Sequence, residues 1–329
     1  MSNNLPVGVL KGTPESFVVK EIIRGNPPQA VEFYDESFIW EWDRELPVTI
    51  FALSKRRWNT ADAVEEAARQ LDVSVKDISF YGLKDKHART SQHIGVQGNF
   101  RPSFSHPEIS LAQQGGQRFP LRIGDIVGNR FEIFIASTAD DLDFAAARAV
   151  PNFFGPQRLG RPGAEEIGRF LLEGDYDEAI RLIRLNPESE KKLFRAKELV
   201  GGSWFEALFH PSFEFSFNFE VHKWQSHLWN KLLQEKKEKL GNSLPDRLLM
   251  WNTSQEVSEM YQHLWAPTQL DSKVVNALQI HPRPTMLRPK DFKYERKTTG
   301  WKFNFDLPPG AYATTVLAQL FKLEERHYE

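Results

Sequence analysis

The sequence predicts an α+β protein: a mixed sheet built from both ends of the chain and interrupted by a mostly helical insertion. Three observations lead there. Residues 1–150 alternate strand and helix patterns. From about Asn152 helical periodicity takes over. After Pro282 strand alternation returns, so the two ends share a texture that the middle lacks. A chain of 329 residues is also long enough for about two cores.

Taken in order, residues 16–23 and 38–42 read as strands rich in β-branched and aromatic residues. Asn59-Thr60 offers a helix N-cap, and Val64, Ala67, Ala68 and Leu71 repeat at helical spacing behind it. Residues 78–81 form a short strand running into Gly82, and residues 131–135 alternate again. Gly155, Pro156, Gly160, Pro162 and Gly163 then punctuate the chain. Helical stripes follow at Ile167, Phe170 and Leu171, at Ala179, Ile180 and Ile183, and at Val221, Trp224, Leu228 and Leu232. Residues 213–219 break this trend with strict period 2 and read as a strand or extended segment. Residues 301–307 alternate with Trp301, Phe303, Phe305 and Leu307 on one face. Pro308-Pro309-Gly310 stops that strand, and a last helix carries Ala313, Val316, Leu317, Leu320 and Phe321.

Composition narrows the chemistry. Cysteine is absent, which excludes disulfides, thiolate nucleophiles and Cys-ligated metals. No secretory leader pattern or long apolar span is present. The net charge of -2 is unlike that of many nucleic-acid binders, yet basic patches recur at Lys55 to Arg57, Lys84 to Arg89, Arg181 to Lys197 and Arg283 to Lys297. No P-loop, dinucleotide glycine fingerprint or nucleophile elbow appears. His87 and His93 lack a third ligand at metal-binding spacing, so no metal is expected.

The densest polar constellation is Gly82 to Gln92, directly after the apolar strand 78–81. A glycine at the strand exit leaves room for close approach of a ligand. Asp85 lies between Lys84 and Lys86; an aspartate is ionised at neutral pH and serves as a nucleophile or a base. In an extended segment both lysines point away from it, which places its charge partner elsewhere in the sequence.

That segment resembles the signature of the TruD family of pseudouridine synthases, Gly-x-Lys-Asp-x-x-Ala-x-Thr-x-Gln, with Gly82, Lys84, Asp85, Ala88, Thr90 and Gln92 in the fixed positions. Further segments resemble the family's in the same order. They are Phe17 to Glu21, Lys55 with Asn59-Thr60, Gly128 to Phe131, Asn152 to Gly160, Gln225-Ser226 with Leu228 to Asn230, and Leu307 to Gly310 with Ala313-Thr314. Phe153 stands where the family usually has Tyr, and Leu159 where it usually has Phe. Residues 235–281 resemble no segment that can be placed.

The resemblance implies a pseudouridine synthase catalytic domain on a mixed, largely antiparallel sheet. Residues 1–152 and 283–329 would form it, with a TruD-specific domain inserted at 153–282 and an RNA-binding cleft between the two. It implies conversion of a uridine, typically at position 13 of tRNA, to pseudouridine. The N1–C1′ bond breaks, the uracil rotates, and C5 joins C1′, a redox-neutral change that requires no cofactor. Asp85 would attack C1′ or take a proton from C2′. Phe131 would stack on the flipped base, or simply fill the core. Asn129 would bind Asp85 or the base, Phe17 would line the pocket or the core, and Glu21 and Lys84 would form a supporting ion pair. Arg158 would hold a phosphate or Asp85, and Gln92 would support the loop. The partner implied is tRNA, with no membrane and no protein partner, for a monomeric cytoplasmic enzyme. Two rival readings are a catalytically inactive RNA-binding protein or RNA chaperone on the same fold, and a hydrolase with paired carboxylates. The intact Asp85 motif argues against the first, and no second acid can be nominated for the other.

Overall fold

A computed structural model of the chain describes residues 5–10, 12–25, 27–33, 46–100, 104–213, 215–241 and 243–325. The strand expected at 38–42 lies outside the described residues. The chain divides into two compact units, Met1–Val150 with Arg288–Glu329, and Pro151–Leu287.

The first unit is organised by one mixed sheet. Its main path runs through Lys290–Lys297, Gly300–Leu307, Gly128–Ala136, Phe17–Ile23, Arg89–Gln97, Val48–Arg56, Ile109–Gln117 and Phe104–His106. Neighbours on this path are antiparallel, except that Phe17–Ile23 and Arg89–Gln97 run parallel. Off the path, Val7–Leu10 pairs in parallel with Lys322–Glu325 from the far end of the chain. Gly128 is required at its strand start, because a Cβ there would lie 2.2 Å from the carbonyl oxygen of Leu307.

Register sorts the side chains by face, since residues directly opposite one another share a face. One face carries Phe17, Val19 and Glu21 beside Asn129, Phe131 and Ile133, and then Phe305 and Leu307. It continues through Thr90 and Gln92 to Lys55 and Leu53. The opposite face of Phe17–Ile23, Gly128–Ala136 and Gly300–Leu307 is ionic. Lys20 bonds Glu32 at 2.6 Å and Glu132 at 2.9 Å, and Arg130 grips Asp306 through two bonds of 2.8 Å.

The helix Thr60–Leu71 forms as its pattern expects. The side-chain oxygen of Asn59 accepts the amide of Asp62 at 2.8 Å, capping the first turn. Its stripe Ala63, Val64, Ala67, Ala68 and Leu71 packs with Phe51, Leu53, Ile94 and Val96 of the sheet. That contact sets Thr60, at the helix start, against the polar segment after Gly82.

The second unit is mostly helical; its short strands include Arg247–Leu249 and Pro282–Pro284, which pair antiparallel, and Met286–Leu287. Its longest helix, Phe217–Leu240, lays Phe217, Val221, Trp224, Leu228 and Leu232 into a core with Ile167, Leu171, Leu193 and Tyr261. Gly168 lets the helix Glu166–Glu173 approach it: a Cβ there would lie 2.1 Å from the carbonyl oxygen of Glu220. Asn230 accepts the amide of Phe154 at 2.8 Å and donates to its carbonyl at 2.9 Å, while Trp229 donates to the carbonyl of Asn152 at 2.9 Å. Asn152 to Gly160 and Gln225 to Asn230, distant in sequence, therefore interlock.

Two expectations need correction. The period-2 reading of 213–219 as a strand or extended segment fails over 217–219, because Phe217 already opens the long helix. The helical stripe extends back from Val221 to Phe217, and burying it in the core outweighs the local period of 2. At the C-terminus the last helix covers only Ala313–Leu317. Leu320 and Phe321 are buried, but they lie in and just after a turn that redirects the chain into the strand Lys322–Glu325.

Candidate active site

Glu21 lies on the strand Phe17–Ile23 with its carboxylate fully buried. One oxygen receives Lys84 Nζ at 2.7 Å, and the other accepts the backbone amide of His93 at 3.0 Å. The carboxylate thus satisfies an amide just beyond the last backbone pairing of the parallel strands, and it anchors Lys84. A buried charge persists in this way when it is paired and its remaining lone pairs are used.

Lys84 is held again by its backbone, whose amide donates to Thr60 Oγ1 at 2.8 Å. Gln92, fully buried, donates from Nε2 to the carbonyl of Gly82 at 3.0 Å, and its Oε1 lies 3.3 Å from Thr60 Oγ1. The segment is therefore tied to the helix Thr60–Leu71 and to two strands before it reaches Asp85. Asp85 is half-buried, and its Oδ1 accepts the amide of His87 at 3.3 Å, closing an Asx turn.

Aromatic residues on the same sheet face line up behind this segment. Phe131 is buried, edge-on to Phe17 with ring centroids 6.3 Å apart, and stacked on Phe305 at 5.7 Å. Asn129 sits opposite Glu21, and its Oδ1 is buried with no hydrogen-bond partner among the described residues. A buried acceptor left in this state is open to a donor from outside the chain.

The first unit thus brings together Phe17, Glu21, Lys84, Asn129 and Phe131 on one sheet face, with Asp85 on the segment that Lys84 anchors. Arg158 belongs to the second unit, in the short helix Pro156–Leu159, with its Nε 3.5 Å from Ser226 Oγ and its guanidinium over the ring of Phe219. Among the described residues, no cluster of His, Asp or Glu side chains is placed to hold a metal ion, and no helix is long and apolar enough to cross a membrane.

Sequence reasoning passed over Thr60 and His93. Thr60 appeared as a cap signal and in the family resemblance but with no role at the site, although it joins Lys84 to Gln92. His93 is pushed down to about 4 by burial, with a hydrogen bond to the Gln114 side chain acting against that shift. Neither role carries a local pattern, because both depend on partners far away in the chain.

Comparison with known proteins agrees with this arrangement. A solved structure described as the putative tRNA pseudouridine synthase D (TruD) from Methanosarcina mazei matches with a TM-score of 0.57 at 23% identity, covering 98% of this chain and 95% of that one. The fold is therefore shared with that protein. A probable tRNA pseudouridine synthase D of Thermococcus sibiricus is 24% identical over 96% of this chain and 95% of its own. The tRNA pseudouridine synthase D of Marinobacter nauticus is 28% identical over 83% and 81%. The family model for tRNA pseudouridine synthase D (TruD) matches residues 3–209. The chain belongs to the TruD family.

Proposed function

We propose that this protein is a tRNA pseudouridine synthase that isomerises uridine 13 of tRNA, with Asp85 as its catalytic carboxylate. The observation that carries the reading is the fixing of the Asp85 segment by the buried Glu21–Lys84 pair, on the sheet face that also holds Asn129 and Phe131. Residues 1–152 and 283–329 would form the catalytic domain, with 153–282 as the inserted RNA-contacting domain.

A uridine within folded RNA must leave its stack to be isomerised, at a cost of about a few kcal/mol that contacts in the pocket offset. Asn129 Oδ1 is suited to accept the imide N–H of the uracil. Asp85 then acts at the sugar, attacking C1′ or removing a proton from C2′, and the N1–C1′ bond breaks. The detached uracil turns and C5 bonds to C1′. The C5 hydrogen leaves as a proton, so atoms and electrons balance without an external oxidant or reductant. Phe17 and Phe131 bound the apolar side of the site, and Arg158 supplies a phosphate contact from the inserted domain.

The position is tested by incubating the protein with unmodified tRNA and mapping pseudouridine by carbodiimide modification and primer extension. A new stop at position 13, absent when that uridine is replaced by cytidine, is the expected result. Modification confined to another position would replace the assignment of uridine 13.

A further inference from the structure

We propose that Lys55 is a positioning residue whose ammonium clamps the two peptide planes flanking Asp85 and so fixes the direction of its carboxylate. The inference rests on the reading of Asp85 as the catalytic group.

Lys55 is the penultimate residue of the strand Val48–Arg56 and is only 2% exposed. A lysine that deep in a sheet needs a reason, because its desolvation is unfavourable. The reason lies in its three donors. Nζ bonds the carbonyl of Asp85 at 2.8 Å and that of Trp58 at 2.7 Å, and reaches the carbonyl of Lys84 at 3.4 Å. An ammonium carries three protons and no acceptor, so these carbonyls use its full capacity.

Two of the acceptors flank Asp85. The carbonyl of Lys84 belongs to the peptide plane before Asp85 Cα, and the carbonyl of Asp85 belongs to the plane after it. Each plane is rigid, so holding both oxygens from one nitrogen restricts φ and ψ of Asp85 together. Rotation about the side chain is then the main freedom left to the carboxylate. The third acceptor, Trp58 O, precedes the helix Thr60–Leu71 and ties the clamp to the same helix start that holds the amide of Lys84.

A positioning role makes a different prediction from a packing role. In Lys55→Met the stem remains and the ammonium is gone. Removing a desolvated charge does not by itself unfold a protein, but it frees the carbonyls around Asp85. Misplacement of a reacting group by about 1 Å costs roughly 100-fold in rate. The expected result is a fall in kcat of about that size with KM within about threefold, and cooperative thermal unfolding with a midpoint lowered by no more than about 10 °C, the loss expected from carbonyls left without a donor. Amide hydrogen exchange, followed by mass spectrometry without substrate, should rise in the peptide covering 82–88 and stay unchanged in the strands. Lys55→Gln, which keeps two donors, should fall between the two proteins in both measurements.

A Lys55→Met protein with kcat near the wild-type value would overturn the proposal. So would exchange that is unchanged at 82–88 or raised throughout the sheet, since the latter marks Lys55 as general scaffolding. The exchange result decides the clamp even if the wild type proved inactive on tRNA, an outcome that would sink the functional reading separately.

Discussion

Glu21 and Lys84 meet at 2.7 Å with the carboxylate fully buried and the lysine side chain 5% exposed. Sixty-three residues separate them in sequence, and their bond links the strand Phe17–Ile23 to the segment that carries Asp85. Breaking one side of such a pair strands a buried charge, at a cost of about 3–5 kcal/mol. Lys84→Met alone should therefore lower the urea midpoint sharply. Glu21→Gln combined with Lys84→Met should recover part of the loss, and a double-mutant cycle measures the coupling. Additive losses would mean that the pair contributes no interaction of its own.

His93 gives the fold an acid sensitivity. Burial holds it down to about 4, against about 6.5 for an ordinary histidine. Between these values the unfolded chain binds a proton that the folded chain refuses, so stability is present above 6.5 and is lost as pH falls toward 4. The depression corresponds to about 3 kcal/mol. Urea titrations at pH 7 and pH 4.5 should show this component in the wild type and its absence in His93→Leu.

Lys55 should act in the alkaline range, with opposite effects on stability and activity. Burial, the largest influence, lowers it to about 8; the charge of Asp85 opposes this shift and that of Lys84 adds to it. From pH 8 to 10.5 the unfolded chain keeps a proton that the folded chain has released. The contribution of this group to stability therefore rises across that window, by about 3 kcal/mol in all. Over the same range the amine loses its third donor. In the wild type, kcat should fall as pH rises through about 8, and in Lys55→Met that limb should be missing. Thr90 faces Lys55 from the adjacent strand and is not ionisable.

Phe131 joins packing to the site. It lies between Phe17 and Phe305 and is 6% exposed. Phe131→Ala should cost about 3–5 kcal/mol in denaturant unfolding. Phe131→Leu should keep most of that stability. If the ring also meets the flipped base, Phe131→Leu will lower kcat/KM for tRNA more than its stability loss explains.

Much of the fold could be read from patterns with one solvated face. Residues 301–307 and 131–135 alternate because one side of those strands is apolar and the other ionic, and Asn59 marks its helix by capping it. The strands Val48–Arg56 and Arg89–Gln97 left no such trace. They lie inside the sheet with both faces largely buried, so period 2 disappears. Their polar members Lys55, Thr90, Ser91 and Gln92 interrupt any apolar run that would mark a buried strand. Lys55 and Gln92 are satisfied by carbonyls and side chains distant in sequence, and only the assembled sheet shows that. Asp85 was conspicuous through its motif. Its supports were visible only in other guises, Thr60 as a helix cap and Lys55 in a basic patch, with both also in the family resemblance.

The central claim is that Asp85 carries out pseudouridine formation. It is tested most directly by tritium release from tRNA labelled at uridine C5, with wild type and Asp85→Ala compared at equal folded concentration. The expected result is release by the wild type and none by the variant, with circular dichroism and cooperative thermal unfolding confirming that both proteins are folded. Release by the variant at the wild-type rate would contradict the assignment of Asp85, and release by neither protein on any tRNA would contradict the function itself.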